Sequence, residues 1–247
     1  MSVRLPASAR RAVTAAAAVA IAAAGIAANA TPASAAARGS AQSFAGSTNS
    51  DGSAIRWNPC KTIHYQTNVT YAPSGAQADV TTAIKTLAAA TGMTFVDDGA
   101  TTVIPQQNYG NDAAPWTGKA VPPLVIAWAK PGTGTGASNL LNNSPTLAGE
   151  GGWRSASWSD RSGRHPWQIY TGFAVLSTRF NTLPAGFADG KATRGELLLH
   201  ELGHAVGLDH VNDKTQIMYP SLGTAGSYGA GDLAGLAKVG KKAGCLS

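Results

Sequence analysis

His200–His210 reads HELGHAVGLDH, so three of the chain's five histidines fall within one window of eleven residues. His200 and His204 are four residues apart, and a helix therefore places both imidazoles on one face, one turn apart. A continuous helix would carry His210 about 9 Å further along its axis. Gly207 allows the chain to leave the helix and turn back. Three neutral imidazoles around one point predict a zinc site with one open face.

Glu201 directly follows the first histidine and need not bind the metal. A carboxylate in this place can take a proton from a zinc-bound water as that water attacks a carbonyl carbon. The same group can then protonate the leaving amine. The pattern predicts hydrolysis of an amide bond. A bare His-Glu-x-x-His also occurs by chance on surface helices, but the third histidine and the capped helix described next disfavour that interpretation.

Helix signals surround this motif. Thr193 and Glu196 have the spacing of a capping box, and an apolar run follows them, so we predict a helix from about residue 194 to about residue 206. Asp232 is a suitable N-cap for a last helix, which we expect to run to Gly240.

The remaining segments alternate between strand and helix patterns. We predict strands at 63–69, 93–96, 124–128 and 169–178 and a helix from Ala76 to Gly92. The glycine-rich stretch 132–136 lacks the Lys-Ser/Thr ending of a phosphate loop and is predicted to be a surface loop. No internal repeat or second domain boundary is visible, which indicates one domain over residues 55–247.

The composition suits a globular chain, with 44% hydrophobic and 13% charged residues among 247. Its 29 glycines predict many loops. The formal net charge is +6, but three of the arginines lie in the first eleven residues. If that segment is removed, the remaining excess of three positive charges is too small to indicate a nucleic-acid partner.

The N-terminus has the pattern of an export signal. The basic first residues are followed by the apolar stretch 12–28, and Ala-Ser-Ala at 33–35 fits a cleavage site. We therefore predict a cleaved signal over residues 1–35 and a secreted protein, with the export route left open. A membrane anchor is disfavoured because the stretch is short and only weakly hydrophobic. Residues 36–54 are small and polar, which predicts a flexible linker or a short pro-segment.

Cys60 and Cys245 are the two cysteines and lie near the two ends of the predicted domain. In an oxidising compartment we expect them to form a disulfide, the alternative being two free structural thiols. Closing so long a loop can stabilise the fold by up to about 5 kcal/mol through the unfolded state.

The histidine motif resembles the metzincin signature H-E-x-x-H-x-x-G-x-x-H followed by a Met-turn. Met218 follows in QIMYP, residues 216–220, and this form resembles bacterial matrixin-like (peptidase M10-like) proteins. The resemblance implies that Met218 lies in a tight turn beneath the ligands without binding the metal. Residues 231–236, GDLAGL, resemble the start of the matrixin C-terminal helix. The resemblance implies that Asp232 also hydrogen-bonds near the Met-turn.

The same resemblance implies an α+β, metzincin-like zincin fold. It would have a twisted mixed sheet with backing helices, an active-site helix, and a loop-rich C-terminal part that ends in a helix. An edge strand near residues 147–152 would bind the substrate backbone by strand addition. The implied function is that of a secreted zinc-dependent endopeptidase with one catalytic zinc ion. It would act as a monomer on protein or peptide substrates, with no nucleic-acid partner and no membrane contact after signal cleavage.

The chain departs from the matrixins in two respects. It has neither a cysteine-switch segment nor the His/Asp-rich loop that holds structural metals in the animal proteins. Calcium is therefore an unsupported cofactor here, and the carboxylates that could contribute to such a site are Asp97, Asp98, Asp112 and Asp160. The isolated His64 and His165 are interpreted as surface or packing residues.

Two other functions fit the same motif. One is a zinc amidase that acts on cell-wall peptides. The other is a non-catalytic, zinc-stabilised binding module for a surface polymer, which Glu201 disfavours because a structural site needs no base. Trp153, Trp158 and Trp167 lie in one polar stretch and could form a polymer-binding face, although core or loop packing is the favoured interpretation.

Overall fold

The computed structural model describes residues 14–20, 48–111, 120–160 and 163–246. These parts of the chain form a mixed sheet of seven strands and three α-helices, which confirms the predicted α+β class. In chain order the elements are β1 (Thr14–Ala20), β2 (Ile63–Asn68), α1 (Ala76–Thr91), β3 (Phe95–Ala100), β4 (Leu124–Pro131), β5 (Ala137–Ser138), β6 (Leu147–Asp160), β7 (Gly163–Ser177), α2 (Arg194–Ala205) and α3 (Ala230–Val239).

The sheet has the order β1-β6-β7-β4-β2-β3, with β5 beside β4. The pairs β2–β3, β2–β4 and β4–β7 are parallel, and β6 is antiparallel to both β7 and β1. Parallel neighbours need a crossover connection, and α1 provides it between β2 and β3. The first six residues of β4 are buried, as expected of a central strand that is covered on both faces.

The predicted strands 63–69 and 124–128 are present as β2 and β4, and β4 continues to Pro131. The second predicted strand starts two residues late, because Met93 still belongs to the turn that ends α1. Its backbone N–H donates to Thr91 Oγ1 (3.2 Å), and pairing with β2 begins at Phe95. The helix α1 ends before Gly92, whose φ of 70° is the expected left-handed cap.

The sequence pattern missed most of the hairpin formed by β6 and β7. Only the parts near 147–152 and 169–178 were predicted as strands, because the polar residues between them hide the period of two. Trp153 is fully buried, and Trp158 stacks on His165 with 4.6 Å between ring centroids. Trp167 packs partly buried against the main core. The three tryptophans therefore serve packing, as the favoured interpretation held.

Helix α1 packs against α2. A buried ion pair joins α1 to the first residue of α2. Arg194 Nε donates to Asp79 Oδ2 at 2.6 Å, and the two side chains are 4% and 11% exposed. Asp79 Oδ1 also accepts from the backbone N–H of Gly186, while Arg194 Nη2 donates to the carbonyl of Ser74. These contacts fix the N-terminal end of α2 against α1 and the turn that precedes it.

The last helix begins earlier than predicted. Its N-cap is Gly229, and Asp232 lies in its first turn rather than at the cap. The carboxylate of Asp232 accepts from the Gly229 N–H at 2.9 Å, so Asp232 caps the helix from the third helical position. The helix ends at Val239, before Gly240, as expected.

The fold makes its first described contacts after β1 at Thr48, ahead of the expected start at Ile55. Asn49 exchanges two hydrogen bonds with the backbone of Trp167, at 3.3 and 2.9 Å. Of the predicted export signal, residues 14–20 form β1, whereas the predicted cleavage site and residues 36–47 lie outside the described residues. No helix in the described part of the chain is long and apolar enough to cross a membrane.

Cys60 and Cys245 form a disulfide that joins the two ends of the domain across 185 residues, with 5.4 Å between their Cα atoms. The same ends are also joined by Asn58 Nδ2, which donates to the Leu246 carbonyl at 2.7 Å.

The Asp79–Arg194 pair predicts a large loss of stability in Asp79→Ala. Removing the carboxylate leaves a buried guanidinium unpaired, which costs about 3–5 kcal/mol of unfolding free energy. The matched control is Asp98→Ala, which breaks the exposed His64–Asp98 pair (2.8 Å) and should cost less than about 1 kcal/mol. Urea unfolding measures both, and equal losses would contradict the structural role of the buried pair.

Candidate metal centre

Three imidazoles converge at the end of α2. The Nε2 atoms of His200 and His204 are 3.0 Å apart, and each lies 3.2 Å from Nε2 of His210. His200 and His204 are each 1% exposed, and His210 is partly buried. The structure therefore brings together the three histidines that the motif singled out.

Hydrogen bonds to backbone carbonyls orient two of these rings. His200 Nδ1 lies 2.6 Å from the Ile217 carbonyl oxygen, and His204 Nδ1 lies 2.9 Å from that of Leu208. A carbonyl oxygen can only accept, so each Nδ1 carries the proton and each Nε2 presents its lone pair.

A metal cation fits this arrangement of donors. Lone pairs that face one another at about 3 Å repel unless a positive ion lies between them. Zinc with Zn–N bonds of about 2.0–2.1 Å in tetrahedral geometry separates its nitrogen ligands by about 3.3 Å, close to the distances here. Burial lowers the pKa of His200 well below its usual value, lowers that of His204 to about 4, and also lowers that of His210. The imidazoles are thus held neutral, the form in which they bind metal.

The turn after α2 brings the third histidine back. Gly207 has a φ of 109°, a conformation that favours glycine, and the Leu208 N–H donates to the Gly203 carbonyl at 3.0 Å. Trp57 Nε1 donates to the carbonyl of Ala205 at 2.9 Å, so this carbonyl at the end of the helix has a hydrogen-bond partner. The predicted exit at Gly207 is therefore present, with its expected geometry.

The turn that contains Ile217 and Met218 is tied to the start of α3. The Asp232 carboxylate accepts from the backbone N–H groups of Ile217 (2.7 Å) and Met218 (3.2 Å). In return, Gln216 Oε1 accepts from the N–H groups of Gly231 (2.8 Å) and Asp232 (3.0 Å). The Ile217 carbonyl orients His200, so the side chains of Asp232 and Gln216 hold in place the turn that positions this predicted metal ligand.

Met218 is 1% exposed, and its side chain packs directly against Gly203, which lies between His200 and His204 on α2. A Cβ atom at Gly203 would lie less than 3.0 Å from Met218 Sδ. Met218 therefore forms an apolar floor under the helix, where the matrixin resemblance placed it.

Glu201 points toward β6 and is fully buried. The prediction of an edge strand near residues 147–152 is wrong for this structure, because β1 pairs with β6 on the side away from β7. Two glycines of β6 make the position of Glu201 possible. A Cβ atom at Gly149 would collide with the Glu201 carboxylate, and one at Gly151 would collide with its backbone carbonyl. Neither carboxylate oxygen of Glu201 makes a hydrogen bond of normal geometry within the described part of the chain, although the backbone N–H of Gly151 lies close enough to lower its pKa.

Burial raises the pKa of Glu201 well above its usual value, and the charge of Glu150 raises it further. Burial also raises the pKa of Glu150, to about 8. A raised pKa makes a carboxylate a stronger proton acceptor, and a divalent cation at the three histidines would oppose the shift by favouring the charged form.

Sequence reasoning did not single out Gly149, Gly151, Glu150 or Gln216. The signal that was available is GEGG at residues 149–152, because glycines inside a strand often mark the close approach of another backbone. Gln216 carried no such signal, since its role depends on two segments that meet only in the fold.

In the predicted capping box, the Glu196 carboxylate is expected to accept from the Thr193 backbone, but its described hydrogen bond is to another segment. Thr193 Oγ1 accepts from the Glu196 N–H at 3.2 Å, as expected. Glu196 Oε1, however, accepts from the N–H of Gly223 at 2.7 Å, so this carboxylate fixes the loop after the Met-turn against α2.

The residues considered for calcium do not meet at a described site. Asp98 pairs with the exposed His64, and Asp97 Oδ1 accepts from the Gly99 N–H at 2.8 Å. Asp112 and the side chain of Asp160 lie outside the described residues.

The matrixin family model (peptidase family M10) matches residues 155–234, which are 80 of the 247 residues and include the three histidines, Glu201, Met218 and Asp232. The chain is matrixin-like. The match supports a zinc metalloprotease, and the mixed sheet with helices on its face agrees with the matrixin fold. No curated protein sequence matches the chain.

Burial of the histidines in this matrixin-like site predicts that acid destabilises the metal-free protein. His204 binds its proton at about pH 4 when folded and at about pH 6.5 when unfolded, so the unfolded chain binds more protons between these values. The free energy of unfolding should therefore fall as the pH is lowered through this window, by up to about 3 kcal/mol for His204 alone.

Urea unfolding in EDTA at a series of pH values tests this. His204→Gln should flatten the profile, whereas the exposed control His64→Gln should keep it. An unchanged profile in His204→Gln would show that this imidazole is not the titrating group.

Proposed function

We propose that the chain is a secreted, zinc-dependent endopeptidase in which His200, His204 and His210 bind one zinc ion and Glu201 is the catalytic base. The observation that carries this proposal is the convergence of three imidazole Nε2 atoms on one point, in a segment that also carries the buried carboxylate of Glu201. A structural zinc site needs no such carboxylate, and it usually has four protein ligands.

Zinc bound here would lower the pKa of a water molecule and polarise the carbonyl of the scissile bond. Glu201 would accept the proton of that water and then transfer it to the leaving amine. Its buried position raises its proton affinity, an effect that the nearby backbone N–H of Gly151 only partly offsets. Met218 and Asp232 would act as positioning residues, because they hold the helix and the carbonyl that orient the ligands.

The substrate would bind as an extended strand along the edge of β6. In the structure β1 occupies this position, with Ala17 opposite Gly151 and Ala18 opposite Glu150 in antiparallel register. A substrate strand would take the place of β1 once the predicted signal over residues 1–35 has been removed. The same glycines of β6 contact Glu201 on their other side. A polypeptide on this edge would therefore pass beside the base, and its backbone would supply the hydrogen bonds of recognition.

Secretion is supported by the N-terminal signal pattern and by the disulfide, since such bridges persist in oxidising compartments. The wide separation of Cys60 and Cys245 in sequence makes the bridge a constraint on the whole domain.

The decisive experiment compares Glu201→Gln with the wild-type chain. The variant keeps the three histidines, so it should retain about one zinc ion per chain by elemental analysis. Its turnover of a peptide library should fall by at least about 100-fold, because proton transfer loses its base. If zinc-loaded wild-type protein cleaves no peptide or protein, the endopeptidase proposal is wrong.

Gly149→Ala should separate catalysis from folding. The added methyl group meets the flexible end of the Glu201 side chain, so it should displace the base and lower kcat with little loss of stability. The comparison variant Gly151→Ala meets the Glu201 backbone and should lower both. Peptide turnover and urea unfolding report the two effects, and full activity in Gly149→Ala would contradict the assigned position of the base.

A further inference from the structure

A cleft with an excess of positive charge lies between the segment 52–56 and the C-terminal end of the domain. It has a volume of about 660 Å³, within the range of small-molecule sites. Its lining includes Arg56, Lys238 from the last turn of α3 and Lys242 from the short helical turn that follows. None of the described residues that line it is acidic.

Arg56 differs from the two lysines, because its side chain is buried and one of its guanidinium nitrogens has no hydrogen-bond partner. The residue is 6% exposed, and burial lowers its pKa. Nη2 donates to the Ala243 carbonyl at 3.1 Å, but Nη1 is buried without a hydrogen-bond partner. Among the described residues, no ion pair joins Arg56, Lys238 or Lys242 to a carboxylate. A buried guanidinium is costly without an anionic partner.

The backbone of Arg56 is held against β7. Its carbonyl accepts from the Ile169 N–H at 2.9 Å, and the residue bridges to Gln168 in β7. The nearest acidic residue in sequence, Asp51, accepts instead from the backbone and the hydroxyl of Ser53, at 2.9 and 2.7 Å.

The rest of the cleft is lined by small apolar groups. Ala54 lies on one wall, and Ala234 and Ala237 lie on the exposed side of α3. Three cations next to an alanine surface suit a molecule that carries an anionic head and an apolar body. The volume is also far larger than an inorganic ion needs, since one water molecule occupies about 30 Å³ of liquid.

We propose that this cleft binds a small organic anion whose carboxylate or phosphate head contacts Arg56, Lys238 and Lys242 and whose apolar part lies against Ala54, Ala234 and Ala237. The site is separate from the three histidines, and its occupation does not depend on the proposed peptidase activity. The head would neutralise the charge of Arg56 and offset the mutual repulsion of the three cations.

Isothermal titration of the full chain with three probes of equal tail length tests the proposal. Hexanoate and hexyl phosphate carry the two candidate heads, and 1-hexanol carries none. We expect binding of at least one anionic probe, no binding of the alcohol, and weaker binding as salt is added. The anionic probe that gives the lower Kd identifies the head group. Binding of inorganic phosphate as tight as that of hexyl phosphate would overturn the assignment of an organic ligand.

Substitutions locate the site. Arg56→Gln should weaken binding at least about tenfold, because a charge-assisted hydrogen bond is lost. Lys238→Met removes an exposed charge and should weaken it about two- to fivefold. Lys85→Met, at an exposed position on α1, is the matched control and should change nothing. If Arg56→Gln does not fold, Lys238→Met combined with Lys242→Met gives the same test. Absence of binding to the wild-type chain, or unchanged binding in folded variants, would overturn the proposal.

Discussion

The convergence of three imidazole Nε2 atoms on one point is the constraint on which the rest of the structure depends. Neutral rings keep their Nε2 atoms about 3 Å apart only if their Nδ1 atoms are held elsewhere, and the carbonyls of Ile217 and Leu208 do this for His200 and His204. Each carbonyl belongs to a segment outside α2. The turn at Gly207 after α2 and the turn held by Asp232 therefore both orient the rings that converge at the predicted metal site.

Close packing transmits this constraint to the sheet. Gly203 admits Met218 beneath the helix, and Gly149 and Gly151 admit Glu201 from the side of β6. Because these contacts leave no room for a methyl group, the helix cannot shift toward either neighbour. The buried Asp79–Arg194 pair fixes the other end of α2. A base must lie within hydrogen-bonding reach of the proton it abstracts, and this packing supplies that positional precision.

Charge is unevenly distributed between the two sides of the domain. Burial raises the pKa of the carboxyl groups of Glu201 and Glu150, and the charge of Glu150 raises that of Glu201 further. Near the chain ends, Arg56, Lys238 and Lys242 surround a cleft without a carboxylate among the described residues.

The sequence by itself determined the local features of this protein. The spacing of His200, His204 and His210, the cap at Thr193 and the exit at Gly207 follow from helix geometry, and so do β2, α1 and β4 from their apolar periods. Only the tertiary structure decided which distant groups meet: Gln216 with the start of α3, Gly149 with Glu201, Glu196 with Gly223, and Arg56 with the two lysines. Periodicity reports how a segment is buried, whereas contacts between segments depend on register and turn direction, which a local pattern does not encode.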